Sequence, residues 1–530
     1  MEVALEKIRI LTSEHNIDAE KIFIHPDSYP DGSEEKLDAA KRHGVVIMGI
    51  PVGSESYIQA HLFSVIIPEI ERVVQRIIER CDCPQLSHCF LKLVVNAKPM
   101  HILRSLYPRL VVNFCDKLDS IQRGFLATIA GVLKIPEINY AIAKSKGGLG
   151  LPDFCDIPDA AFTASVVCCR AAIEKHLPGA LQLDIPLTAA LKLAVESLNA
   201  SGMPHSLQTL LDVPTNKHKG LQADLMEWRN VVRTDRVRSL VTESLPSALQ
   251  AMYSSSSTSE AGLPFSVVPK SPGLSMEKGV FQAALRSKIA LCHASLITHG
   301  TQCDCNRHTT VDDNGIHLVK CRSDWQLTIA AHNKLRDTVL HMLRNLGFAA
   351  QPEILLRDLG LVPCTDDSTM DIVVNESGVP SSLLDVRITS PVSAEAERGE
   401  VALNKKLRNR ATTAEKDKVR RYGAIAAQGN VNFYPLIIES SGAWGDKFTA
   451  WFLHLFIDYA KKTGQNVSNL QNYWKSRIAT CVQVGVQNKV IKRAFNLRSR
   501  AGVVLSKSED EASLPGVVAE YNVVDNHNGW

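Results

Sequence analysis

The 530-residue sequence lacks several features that would each have fixed its class. No apolar run reaches about eighteen residues, so no bilayer-spanning helix is expected. The first residues, MEVALEKIRILTSEHN, lack the basic-then-apolar order of a secretory signal, so an intracellular location is expected, with the nucleus compatible and no targeting signal evident. Charge of one sign is almost absent: 59 Lys and Arg stand against 56 Asp and Glu, a net of +3. A whole-surface attraction to polyanions is thereby excluded, and any nucleic-acid surface must be local. No internal repeat of useful length occurs, which excludes solenoids and propellers. The thirteen cysteines are irregularly spread, which argues against a disulfide frame and for reduced thiols with a metal site among them.

What remains is an ordinary globular composition, 45% hydrophobic and 22% charged, enough for two to four domains. The first half reads as helical. VVIMGIPVG (45–53) reads as a buried strand ending in a turn. From Tyr57 to about Val132 apolar residues then recur every three or four positions, as in Leu62, Val65, Ile66, Ile70, Val73, Val74 and Ile77. Similar patterns cover 159–174, 187–199 and about 218–244. YSSSSTSEAGLPFSVVPKSPGLS (253–275) is rich in Ser, Pro and Gly and marks a flexible linker over 246–276. Beyond it come a helix and a cysteine cluster (277–325), a mixed helix and strand region (326–465), and C-terminal helices with a tail (466–530). The fold class expected is α+β or α/β.

Cys303, Cys305, His317 and Cys321 suit a tetrahedral structural zinc site. Two thiols would come from a tight knuckle, and His317 and Cys321, four apart, from one face of a helical turn. Cys292 and His308 are possible exchange ligands. The other cysteine group, Cys81, Cys83, His88 and Cys89, has no long turn and reads as core and connector.

The stretch MDIVVNESGVPSSLLDVRIT (370–389) places Asp371 and Asp385 in two short β-branched runs around a Gly-containing turn. That is a hairpin of two buried strands. A carboxylate there costs several kcal/mol unless cations or hydrogen bonds offset it. Two acids converging from neighbouring strands are a natural seat for Mg²⁺, while the bland reading makes each a strand-end turn residue. The segment NKKLRNRATTAEKDKVRRYG carries eight Lys or Arg against two acids. Lys405, Lys406, Arg408, Arg410, Arg420 and Arg421 would meet DNA phosphates, or would simply form a solvated helical face. VNFYPLIIESSGAWG (431–445) reads as a core strand ending in a turn, with Glu439 either a helix cap or a functional acid.

Taken together, residues 300–445 resemble the restriction-like endonuclease of certain non-LTR retrotransposons, a branch of the PD-(D/E)xK nucleases. The matching elements occur in order: Cys303, Cys305, His317 and Cys321; His332-Asn333, with Ala331 in place of the family's arginine; Asp371 and Asp385, with Met370 in place of proline; and Lys418 with Tyr422 in K-x-x-x-Y. The resemblance implies a central mixed sheet and a Mg²⁺-dependent DNA nuclease. Asp371, Asp385 and the Val386 carbonyl would hold the metal. Lys418, migrated from the slot now holding Arg387, would orient the water, with Tyr422 on the same helical face. Glu353 would be the extra acid near the metal, or else a surface glutamate. His332, Asn333 and Arg387 would contact DNA, and element RNA is a further possible partner. Lys418 is expected within about one water of the carboxylates.

The first half is similar to the thumb and connection of a reverse transcriptase, through MGIPVGSESYIQAHL and SKGGLGLPDFCDIPDAAFTASV. On that resemblance residues 1–52 would be the end of a palm and 53–245 a thumb-like region. The aromatic-x-Asp-Asp turn of a polymerase is missing, so no polymerase activity is expected and a separate reverse transcriptase would have to supply it. The alternative is a catalytically inactive, zinc-containing module that binds nucleic acid or protein.

Overall fold

The computed structural model describes residues 44–183, 185–293, 297, 300–305, 309–321, 323–376, 378–393 and 409–500. Expectations that fall elsewhere, for residues 1–43, His308, Lys405, Lys406, Arg408 and the chain from Val401 into the basic helix, lie outside the described residues.

The protein is mainly helical, with a small mixed four-stranded sheet, an α+β arrangement. VVIMGIPVG is not one buried strand. It is an antiparallel hairpin of β1 (Gly44–Ile47) and β2 (Ile50–Gly53). Met48 and Gly49 both have positive φ and Met48 is almost fully exposed. A two-residue turn with left-handed φ matches the twist of its strands, and the apolar Met48 hides it from pattern reading. Helices follow at Ile67–Arg80, Val112–Ala130, Ile157–His176 and Leu221–Ser244, with shorter ones between. Ile67, Ile70 and Val74 are buried on one face of the first, and Phe114, Leu118 and Phe125 on one face of the second.

The helices that build the candidate sites are labelled from α1. The expected flexible linker is folded and packed. It contains α1 (Ser247–Ser256), and Ser255, Ser256, Thr258, Glu260, Ala261 and Phe265 within it are buried. Its serines satisfy one another and nearby carbonyls, as Ser256 and Ser257 do by donating to the Tyr253 carbonyl. The composition of a linker thus serves close packing. Gly147 of the GGLG turn, at φ +84°, lies so near the Ser257 backbone that a Cβ would overlap it.

The sheet has the order β3 (Ala349–Leu355), β4 (Thr369–Glu376), β5 (Val379–Thr389), β6 (Asn432–Glu439). The first three strands are antiparallel, and β6 runs parallel to β5. Each strand alternates between two layers. One face carries Ile372, Val374, Leu384, Val386, Leu436 and Ile438. They pack on α4 (Trp325–Asn345), α6 (Asp446–Thr463) and α7 (Ser468–Arg500). The other face carries Val373 and Leu383 under Tyr422 and Ala426 of α5 (Asn409–Gln428). The apolar runs of β4 and β5 are thus covered on both sides.

Residues 468–500, expected as C-terminal helices, are joined end to end. They form the single 33-residue α7, which runs through three cores. Trp474, Ile478 and Val482 sit against the sheet, Ile491 in the helical half, and Val490, Ala494 and Leu497 beside the cysteine cluster. Where α7 crosses α4, Gly485 lies against Ala331. No helix among the described residues is long and apolar enough to cross a membrane.

Glu439, at the end of β6 and 1% exposed, joins three of these parts. Its Oε1 accepts the Ala411 N–H at 2.9 Å in the first turn of α5, and its Oε2 accepts the Ser255 hydroxyl of α1. Of the two readings left open by the sequence, the helix cap is the one seen. Glu415, one turn further into α5, accepts the Lys447 and Phe448 N–H groups at the start of α6, at 2.9 and 3.3 Å. Replacing Glu439 with Ala strands the buried Ala411 N–H and leaves the Ser255 hydroxyl only its Ser441 partner, and should lower unfolding stability by about 2 kcal/mol. An unchanged urea midpoint for Glu439→Ala would show that the cap carries no stability.

Candidate functional site

Two clusters lie on either side of α4. The first precedes it. Residues 301–303 pair with 309–311, with Cys303 N–H donating to Thr309 O at 3.0 Å and Val311 N–H to Thr301 O at 2.8 Å. This knuckle presents Cys303 and Cys305. Asp312 then accepts N–H groups from Asn314, Ile316 and His317 at 3.1, 3.0 and 2.8 Å, fixing the short helix α3 (Ile316–Lys320) that carries His317. In chain order, α3 falls between the helix at Lys278–Lys288, labelled α2, and α4.

Cys303 Sγ and Cys321 Sγ are 3.6 Å apart, and Cys305 Sγ and His317 Nε2 are also 3.6 Å apart. All four ligand atoms lie within 4.8 Å of one another. A zinc–sulfur bond of about 2.3 Å puts tetrahedral sulfurs about 3.7 Å apart. The cluster could therefore hold a metal ion and is compatible with zinc. Cys292 is exposed and outside the group. Burial first, then the Cys305 and Cys321 thiols beside it, push the Cys303 thiol up to about 12, an environment in which a bound dication would supply the charge that stabilises thiolate. Arg493 of α7, 1% exposed, donates to Cys303 Sγ at 3.4 Å and to Asp324 at 2.8 Å, and pairs with Asp304. Among the described residues, no three of Cys81, Cys83, His88 and Cys89 gather in this way.

The second cluster lies on the α5 face of the sheet. The register that pairs Ile372 with Leu384 and Val373 with Leu383 sets Asp371 opposite Asp385. Their strands are adjacent and antiparallel, as expected. Asp371 Oδ2 accepts the Val386 N–H at 2.6 Å, and its Oδ1 lies 3.2 Å from His332 Nε2 on α4. Val386 thus enters through its N–H. Asp385 is 4% exposed. Lys418 of α5 donates to its Oδ2 at 2.7 Å, while Oδ1 has no hydrogen-bond partner among the described residues. Burial raises the Asp385 pKa above the ordinary carboxylate value, against the pull of Lys418. Tyr422, one turn beyond Lys418, is buried against Phe433, with the lysine Nζ 5.5 Å from its ring centre. Burial, then the Asp385 charge, raise its phenol, so it stays protonated at neutral pH.

Other expected residues are placed differently. Glu353 stands across from Asp371 in the β3–β4 register. Its φ of +52° breaks the strand locally, and its carboxylate, 61% exposed, pairs with Arg336. Of the two readings left open by the sequence, this exposed pair with α4 is closer to the surface glutamate. His332, read as a DNA contact, touches Asp371. Asn333 points to the other side of α4, where it lines a cavity of about 550 Å³ with Lys334 and Arg477. Arg387, Arg410, Arg420 and Arg421 are exposed, Arg420 pairing with Asp417 at 3.4 Å. Ala331 fills the α4–α7 crossing, and Met370 is fully buried under Tyr422. The two departures from the nuclease pattern are therefore packing positions. Glu415 and Arg493 were missed because each is a charged residue within a polar stretch, and only the fold reveals what it caps or pairs with.

Neither any family model nor any curated protein sequence matches this chain.

Two outcomes follow from these clusters. Purified protein should carry about one equivalent of zinc, and Cys321→Ser should lose it together with stability. Metal analysis showing none in protein made with ample zinc refutes the assignment. For Asp385, a folded pKa above the unfolded one means that ionisation opposes folding, a cost present at neutral pH and absent once pH falls below the ordinary carboxylate range. Asp385→Asn should accordingly unfold at a higher temperature than wild type at pH 7, with the gap closing on acidification. A less stable Asn variant at pH 7 would mean that the Lys418 pair outweighs burial.

Proposed function

We propose that the Asp371–Asp385–Lys418 cluster is a metal-dependent nuclease centre that hydrolyses phosphodiester bonds in DNA, as the likeness to restriction-like retrotransposon endonucleases implies. The observation that carries this reading is the Lys418–Asp385 contact. A lysine 33 positions away reaches, at 2.7 Å, one oxygen of a buried carboxylate whose other oxygen has no partner among the described residues. A purely structural pair would be expected to satisfy both oxygens.

Asp385 Oδ1 and the neighbouring Asp371 carboxylate would hold Mg²⁺, an ion that takes one or two carboxylates and keeps its other positions for water. When bound, the ion would lower the pKa of a coordinated water and neutralise charge on the scissile phosphate. The chain's own groups do the rest. His332 and the Val386 N–H fix the Asp371 carboxylate in one orientation. Lys418 orients the attacking water from the α5 side and stabilises the developing negative charge. Tyr422, neutral and packed under Lys418, holds that side chain over the sheet. The exposed Arg387, Arg410, Arg420 and Arg421 would take neighbouring phosphates.

The same geometry supports a second reading. Both oxygens of Asp371 are already engaged by protein groups. In that case the protein would be an inactive zinc-containing module that binds nucleic acid. Nicking of supercoiled plasmid in Mg²⁺ separates the two: wild type should nick, and Asp385→Asn should lose at least about a hundredfold. Equal activity in both proteins places the nicking outside this cluster, none in either favours the inactive module, and both outcomes overturn the nuclease-centre reading.

A further inference from the structure

The face of α4 that carries His332 continues outward to a feature the nuclease centre does not use. Trp325, Ile329, His332 and Arg336 recur at four, three and four residues, so they share one side of the helix. At one end His332 touches Asp371, and Arg336 pairs with Glu353. At the other end Trp325 is 62% exposed and Ile329 42% exposed. The tryptophans of α6 and α7, by contrast, are at most 8% exposed. The start of the helix that carries this exposed ring is anchored on both of its neighbours. Cys321 of the metal cluster lies four residues before it, and Asp324, next to it, is clamped by buried Arg493 at 2.8 Å.

We propose that Trp325, with Ile329 beside it, is a positioning residue for the DNA strand that enters the acid cluster, its indole stacking on an unpaired or unstacked base. The inference rests on the nuclease reading and adds to it a grip on the substrate outside the centre. Seven residues of helix separate Trp325 from His332, a rise of about 10 Å, which spans about three nucleotides at about 3.4 Å each. A strand whose phosphate reaches the Asp371 carboxylate and that follows this face of α4 would pass over the ridge. Two apolar side chains are too small a patch for a stable protein interface, which takes about 800 Å² per partner, yet they match one base and its sugar. The knuckle thereby gains a role: it sets the angle at which α4 presents the indole.

The test uses the full chain in an Asp385→Asn background, so that bound DNA stays intact. Tryptophan emission is followed on titration with a 30-base-pair duplex and with one of its single strands. The single strand should quench strongly. Trp325→Phe should lose most of that quench yet bind within a few-fold, because phenylalanine still stacks. Trp325→Ala should bind about five- to a hundredfold more weakly, the usual loss for one stacked base. With Asp385 restored, Trp325→Ala should raise KM for plasmid nicking and leave kcat nearly unchanged. Unchanged zinc content and circular dichroism show that each variant is folded. Quenching and affinity that do not depend on residue 325 overturn the proposal, even where wild type nicks. If no protein nicks while Trp325→Ala still weakens binding, the nuclease reading falls and the stacking contact stands.

Discussion

The arrangement depends on one buried carboxylate. Glu439 ends the β6 strand in a place where an uncompensated charge would be expelled, and it stays because two donors converge on it. One is the start of α5, the other is Ser255 of the serine-rich segment. Remove the carboxylate and the start of α5 loses its polar anchor, leaving the packing of Ala411 and Ala414 on Ile437. Lys418 lies two turns further along α5, so its position over Asp385 is inherited from that cap through the rigid rise of the helix. Glu415 passes the constraint on to α6, and Gly445 is needed there because a Cβ would overlap the Glu415 carboxylate.

A second constraint meets the first from the opposite side. Arg493 is buried inside α7, surrounded by Asp304, Asp324 and the Cys303 sulfur. Its charge is tolerable only while the knuckle and the start of α4 both stay in place. The same helix packs on the sheet through Trp474 and Ile478. Cysteine cluster, α4 and sheet therefore share one axle. This is why His332, on α4, can be held against Asp371, on β4, although 39 positions, including strand β3, separate them.

Local chemistry was legible in the sequence, and long-range closure was not. The Asp371–Asp385 hairpin, the cysteine knuckle and the helical spacing of Lys418 and Tyr422 follow from β-branched runs around a glycine turn and from spacings of two and four, which short windows carry. The Ser-rich segment misled because serine is chosen both for flexible chain and for tight helix contact, and only its neighbours decide between them. β1 and β2 merged into one apparent strand because Met48 kept the turn apolar. α7 shows weak amphipathicity because it is surrounded by protein, and Gln483, Lys489 and Arg493 on its polar side find buried partners. A window of sequence cannot distinguish that from exposure.

The two departures from the nuclease pattern gain meaning from where they lie. Ala331 and Met370 fill apolar contacts, one against Gly485 and one beneath Tyr422, and neither occupies the polar cluster. Ala331 also lines the cavity of about 550 Å³ between α4 and α7. The polar cluster shows the opposite economy. For stability alone, a buried aspartate–lysine pair is a poor choice, since apolar residues of similar volume do as well or better in such places. Asp385 is more costly still, with one oxygen lacking a partner among the described residues and burial working against its charge. A chain that used this sheet only as a support would gain by filling the position with leucine or valine, as Leu383 and Val386 do beside it. Charged groups held at such a cost, facing each other across two strands and a helix, are what a site for a metal and a phosphate requires.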